Sequence, residues 1–76
     1  MPNIIVVSGK KLIRMLEKHG FVVIRTKWSH HRLVHTDGRI TTVPVHGNVD
    51  LPKGLLRKIA TEDLGMTVED FNNWFI

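Results

Sequence analysis

The chain has 76 residues, 42% of them hydrophobic and 24% charged, with no cysteine and a formal net charge of +4. That is the composition of a small globular protein rather than a disordered one, and it excludes disulfides and thiolate metal sites as sources of stability. The apolar run at residues 4–7 is too short for a signal-peptide core or a membrane span, so a cytoplasmic protein with no membrane contact is expected.

The apolar run itself reads as an extra strand or a docking arm, and the pattern does not choose between them. Ser8 is a good helix N-cap, because its hydroxyl can accept from an orphan backbone N–H. Leu12, Ile13, Leu16 and His19 then recur at helical spacing, and Gly20 ends the helix. Residues 21–24 are apolar and rich in β-branched side chains, which predicts a strand. Residues 30–36 and 39–45 predict two more strands, joined at Asp37-Gly38, a dipeptide suited to a two-residue hairpin turn. Asp50 is placed to cap a second helix, with Pro52 in its first turn and Leu55, Leu56, Ile59 and Ala60 on its buried side. Gly65 closes that helix. Thr67 with Asp70 resembles a capping box, and Val68, Phe71 and Phe75 follow at helical spacing. The order is helix, three antiparallel strands, helix, short helix. It predicts one α+β domain over residues 1–76, a sheet with helices on one face, and residues 1–7 as an N-terminal arm.

A two-residue hairpin loop sets His30 opposite Val45, Arg32 opposite Val43 and Val34 opposite Thr41. His31, Leu33 and His35 then face Pro44, Thr42 and Ile40. Neither side of that pairing is cleanly apolar, so the pattern does not say which one packs on the helices.

The charge is uneven. Residues 1–49 hold eight Lys/Arg against two Asp/Glu, and residues 50–76 hold three against five. Lys10, Lys11, Arg14, Lys18, Arg25, Lys27, Arg32 and Arg39 all fall in the first half. A basic half in a domain of this size suggests a polyanion, of which nucleic acid is the commonest.

Four of the five histidines, His30, His31, His35 and His46, lie close together in sequence. Metal binding fits them poorly. His31 and His35 share a side of their strand but sit roughly 13 Å apart, and a single ion held at about 2 Å cannot reach both. Acid–base chemistry fits better. Free imidazole titrates near ~6.5, so it can take or give a proton at neutral pH. RNA carries its own nucleophile, the 2′-hydroxyl, and a positioned proton carrier accelerates its attack by about 10²–10⁴-fold without metal. Lys27 and Arg32 flank Ser29-His30-His31 and are suited to hold the phosphate.

Several short segments together resemble the HicA mRNA interferase family. They are Ser8-Gly9-Lys10-Lys11-Leu12, His19-Gly20-Phe21, Lys27-Trp28-Ser29-His30-His31, Thr42-Val43-Pro44-Val45-His46 and Leu51-Pro52-Lys53-Gly54-Leu55-Leu56-Arg57-Lys58-Ile59, with Gly65-Met66-Thr67-Val68-Glu69-Asp70-Phe71 at the end. The resemblance implies a double-stranded-RNA-binding-domain-like α-β-β-β-α sandwich. It also implies a toxin that cleaves messenger RNA, monomeric when free, with a HicB-type antitoxin as protein partner and no cofactor. The family's Gly-Ser-His motif falls on residues 28–30, which makes His30 the expected catalytic histidine and His31 an accessory. Arg25, Lys27, Trp28, Ser29, His31 and Arg32 are the expected RNA-binding residues, with Lys10, Lys11 and Arg14 extending the footprint along the first helix. Trp28 stands where the family normally has glycine. A tryptophan there either stacks on a base or, the commoner use of a large aromatic, packs on the rim of the sheet. The other reading of the same residues is a non-catalytic RNA-binding module.

Overall fold

A computed structural model describes residues 3–76. The element order is the expected one: α1 (Gly9–Lys18), β1 (Val22–Lys27), β2 (His30–Val34), β3 (Ile40–Pro44), α2 (Lys53–Lys58), which runs on into a π-helical stretch over Ile59–Asp63, and α3 (Val68–Asn73). The strands form one antiparallel sheet in the order β1-β2-β3. This is the α+β, α-β-β-β-α arrangement anticipated above.

Ser8 caps α1 as expected, its Oγ accepting from the Lys11 backbone N–H at 3.1 Å. Leu12 and Leu16 are buried, while His19 at the end of the expected stripe is exposed and stacks on Trp74, with ring centroids 4.1 Å apart. Gly9 is buried because the first turn of α1 rests on the backbone carbonyl of Pro44, where any Cβ would collide. Strand β1 outlasts its apolar run. Arg25, Thr26 and Lys27 go on pairing with Arg32, His31 and His30, since a solvent-facing strand tolerates charge. Ile24 is the extra residue of a β-bulge.

The hairpin between β2 and β3 differs from the two-residue turn expected at Asp37-Gly38. The observed pairs are His30 with Pro44, His31 with Val43, Arg32 with Thr42, Leu33 with Thr41 and Val34 with Ile40. The last rung is His35 with Arg39, whose carbonyl accepts from the His35 N–H at 2.9 Å. Residues 36–38 therefore make a three-residue loop. Gly38 has φ +98° while Asp37 stays at negative φ, so the turn that needs positive φ at both residues is not made. Instead the Asp37 carboxylate accepts from the Arg39 backbone N–H at 3.0 Å and from its guanidinium at 2.8 Å. Those bonds, the backbone one foremost, hold the exposed Asp37 carboxyl below its ordinary range.

This register gives the sheet one apolar face. Leu33, Thr41 and Val43 point inward and are fully or nearly fully buried with Leu12, Leu16, Leu56, Ile59, Ala60 and Phe71. Thr41 is the one buried polar residue of the described core, and its hydroxyl donates to Asp63 Oδ2 at 2.9 Å. The π turn places that carboxylate, with the Leu64 N–H reaching back to the Ile59 carbonyl. The expected cap at Asp50 is absent. Asp50 is bridged to Ser8, and the Leu51 N–H donates to the Val7 carbonyl at 2.9 Å. The chain stays extended through Pro52, which precedes α2 without a side-chain cap.

Met1 and Pro2 of the expected arm lie outside the described residues. The rest is anchored rather than free. Ile4 and Val7 are buried, and Asn72 of α3 accepts from the Ile5 N–H and donates to the Asn3 carbonyl, both at 2.8 Å. Thr67 caps α3, accepting from the Asp70 N–H at 3.0 Å.

Three substitutions test this packing and the turn before β2. Gly9→Ala should destabilise the protein by about 1–3 kcal/mol despite alanine's better helix propensity, because the opposing group is backbone and cannot swing aside. Gly54→Ala, whose Cβ meets open space, should not; thermal denaturation of the pair separates steric contact from propensity. Trp28→Gly should raise Tm by about 4–8 °C. Trp28 has φ 60° in the two-residue turn between Lys27 and His30, and relief of that left-handed strain outweighs the small area it buries.

Candidate functional site

The helices cover one face of the sheet, and the other face is open. Parity assigns the residues to it: those opposite in sense to buried Leu33 and Val43 point outward. His30, Arg32 and Val34 of β2 share the open face with their β1 partners Lys27, Arg25 and Val22, and with Pro44, Thr42 and Ile40 of β3. The face has two halves. Val22, Ile24 and Ile40 form an exposed apolar end. Lys27, His30, Arg25, Arg32 and Thr42, all exposed, form a polar and basic end.

His30 is the first residue of β2, and Lys27 is its direct cross-strand partner. Such partners have Cβ atoms about 5 Å apart, and the diagonal neighbour Arg25 is about 7–8 Å away. Arg25 and Arg32 also face each other. Like charges directly opposite repel, and among the described residues no ion pair involves Arg25, Lys27 or Arg32. The three cations and one imidazole thus surround a patch that an anion would stabilise.

The turn before His30 holds Trp28 and Ser29. The expected packing of Trp28 on the sheet rim does not occur: the side chain is 88% exposed. The positive φ at Trp28 alone is the pattern of a type II′ turn, in which glycine normally takes that position. The backbone thereby gives a physical reason for glycine there in the resemblance, and it presents the indole to solvent. Ser29 fastens the turn to the end of β3, its carbonyl accepting from the Val45 N–H at 2.8 Å.

His31 is not brought to His30. It points to the inner side with Thr26 and Val43 as strand neighbours, is half-buried, and its Nδ1 lies 3.3 Å from the Ser29 carbonyl. Lys10 and Lys11 are exposed on the first turn of α1, which rests on Pro44, the partner of His30. They therefore stand at the same end of the molecule as His30, but in the helical layer. Arg14 is exposed one turn further along. Thr42, opposite Arg32, belongs to the basic patch and was missed from sequence. A three-residue loop is the signal that would have placed it there. His35 lies at the other end of the sheet, where its Nε2 sits 3.1 Å from the His19 carbonyl and its Nδ1 3.1 Å from Asp37. The described residues contain no group of three or more side chains placed to hold a metal ion.

No helix of the described chain is long and apolar enough to cross a membrane. A comparison with curated proteins finds no match. Residues 9–66 match the family described as HicA toxin of bacterial toxin-antitoxin, a span that takes in α1, the whole sheet, α2 and the π turn. The chain therefore belongs to the HicA toxin family of bacterial toxin–antitoxin systems.

Proposed function

We propose that this HicA family member is an endoribonuclease that cleaves messenger RNA with His30 as its proton carrier and needs no metal for the step. The observation that carries the reading is the exposed imidazole of His30 paired across the strands with Lys27 and followed by the opposed Arg25 and Arg32. The cations hold a phosphodiester over the open face and stabilise the charge that builds on it. The adjacent 2′-hydroxyl of the RNA attacks that phosphorus, the bond to the 5′-oxygen breaks, and a cyclic phosphate and a free 5′-hydroxyl result. His30 either takes the proton from the 2′-hydroxyl or gives one to the departing 5′-oxygen.

Trp28 and Ser29 border the site, and Lys10, Lys11 and Arg14 extend the electrostatic footprint to the helical layer. His31, turned inward, acts only by supporting the turn. The partner expected of a toxin in such a system is a HicB-type antitoxin, which neutralises it by covering His30. The free toxin works as a cytoplasmic monomer, with no cofactor.

Purified His30→Ala should lose cleavage of single-stranded RNA by about 10²–10⁴-fold and keep its affinity within a few-fold. A non-catalytic module would have no cleavage to lose, and full cleavage by His30→Ala rejects the assignment. The pH–rate profile of the unmutated protein then names the proton role, rising with pH for a base and falling for an acid. Affinity for RNA should fall with salt at a log–log slope of about −2, for three phosphates on a single strand. Arg32→Ala should reduce that slope by about 0.7, and an unchanged slope removes Arg32 from the phosphate site.

A further inference from the structure

We propose that Trp28 is a stacking platform for a nucleobase of unpaired RNA, so that the site takes single-stranded rather than duplex substrate. The inference rests on the ribonuclease reading above and narrows its substrate class.

The two tryptophans of the chain differ sharply. Trp74 is half-buried, stacked on His19 at 4.1 Å and tilted against Phe71 at 6.0 Å. Trp28 is 88% exposed, belongs to no ring pair among the described residues, and does not pack against the core. Its backbone sits at φ 60°, where L side chains are strained. Neither burial nor backbone preference accounts for the residue, so its use lies in what the ring meets outside the protein.

The surroundings select that ligand. Two chain steps separate Trp28 from His30, so their Cα atoms lie within about 7.6 Å of each other. Lys27 precedes the ring, and Arg25 and Arg32 follow along the open face, with no carboxylate among the residues paired there. Cations that hold a backbone, beside an aromatic face that a base can cover, make the working surface of single-strand binders. A duplex offers no free base face, since its bases are already stacked on one another. A duplex therefore gains from contacts to its phosphates and 2′-hydroxyls but not from the ring.

The test uses the intact protein with a short single-stranded 2′-O-methyl oligoribonucleotide, which lacks the nucleophilic hydroxyl and cannot be cut. Binding should quench tryptophan fluorescence. The quench should vanish in Trp28→Phe, which keeps Trp74 and most of the affinity. Trp28→Gly should bind the single strand roughly 5- to 150-fold more weakly and bind the same sequence as a duplex like the parent. Because glycine suits this turn, unfolding does not confound the result. Equal single-strand affinity in Trp28→Gly, an equal loss on the duplex, or a quench that persists in Trp28→Phe overturns the proposal. So does a Trp28→Gly protein that binds RNA normally and loses only its antitoxin. Failure of the ribonuclease reading registers separately, as cleavage retained by His30→Ala.

Discussion

The length of the loop at residues 36–38 governs both the core and the open face. Side chains alternate along a strand, so a slip of one residue sends every inward group outward. With Gly38 at positive φ and Arg39 paired to His35, β3 enters in the register that turns Thr41 and Val43 into the core. One residue less in the loop would turn Val43 outward and bring Thr42 and Pro44 in. The same step would remove Thr42 from its place beside Arg32. The three-residue loop is stabilised locally by Asp37, which accepts from both the backbone and the guanidinium of Arg39. Arg39 in turn donates to the Leu64 carbonyl and lies over the Phe21 ring, 5.1 Å from its centre. The turn, the end of the π stretch and the start of β1 are therefore tied at a single side chain.

The core tolerates one buried polar residue because the π turn answers it. A regular helix through Ile59–Asp63 would not present Asp63 in the same way to Thr41. The wider turn brings the carboxylate to the hydroxyl, and Lys58 lies 3.7 Å from its other oxygen. A hydroxyl without that partner would cost about 1–3 kcal/mol in this position. The π turn thus joins α2 to the inner face of the sheet while the outer face stays open for charge.

That openness concentrates the chemistry. Lys27, Arg25 and Arg32 stand in close register around His30, and the repulsion among them is tolerated because each side chain reaches water. The matched span ends before α3, yet α3 is not loosely attached. Phe71 enters the core, Asn72 binds the N-terminal segment through two backbone groups, and Trp74 covers His19. Residues before and after the matched span thus pack on each other and close the molecule at the end of α1 away from His30.

Local chemistry was legible in the sequence because it depends on near neighbours. Ser8 and Thr67 cap helices with hydroxyls three residues from their partners. Leu12 and Leu16 bury by helical period, the run after Phe21 forms a strand, and the order of elements follows from those signals. His30, Lys27, Arg25 and Arg32 were legible as candidates by residue type and proximity in sequence. What the sequence left open was everything that depends on pairing between distant segments. The loop length at Asp37-Gly38 was ambiguous because Gly38 suits either turn, and only the packing of Val43 and Thr41 against the helices selects one. Asp50 reads as a cap until the N-terminal segment claims its backbone. Trp28 reads as a packing residue until the turn is closed, when its positive φ directs the ring to solvent. The sequence by itself determined the kinds of element, their order and the charge they carry. Tertiary structure alone decided which face each side chain occupies, because facing is a property of the register between strands and no single strand contains it.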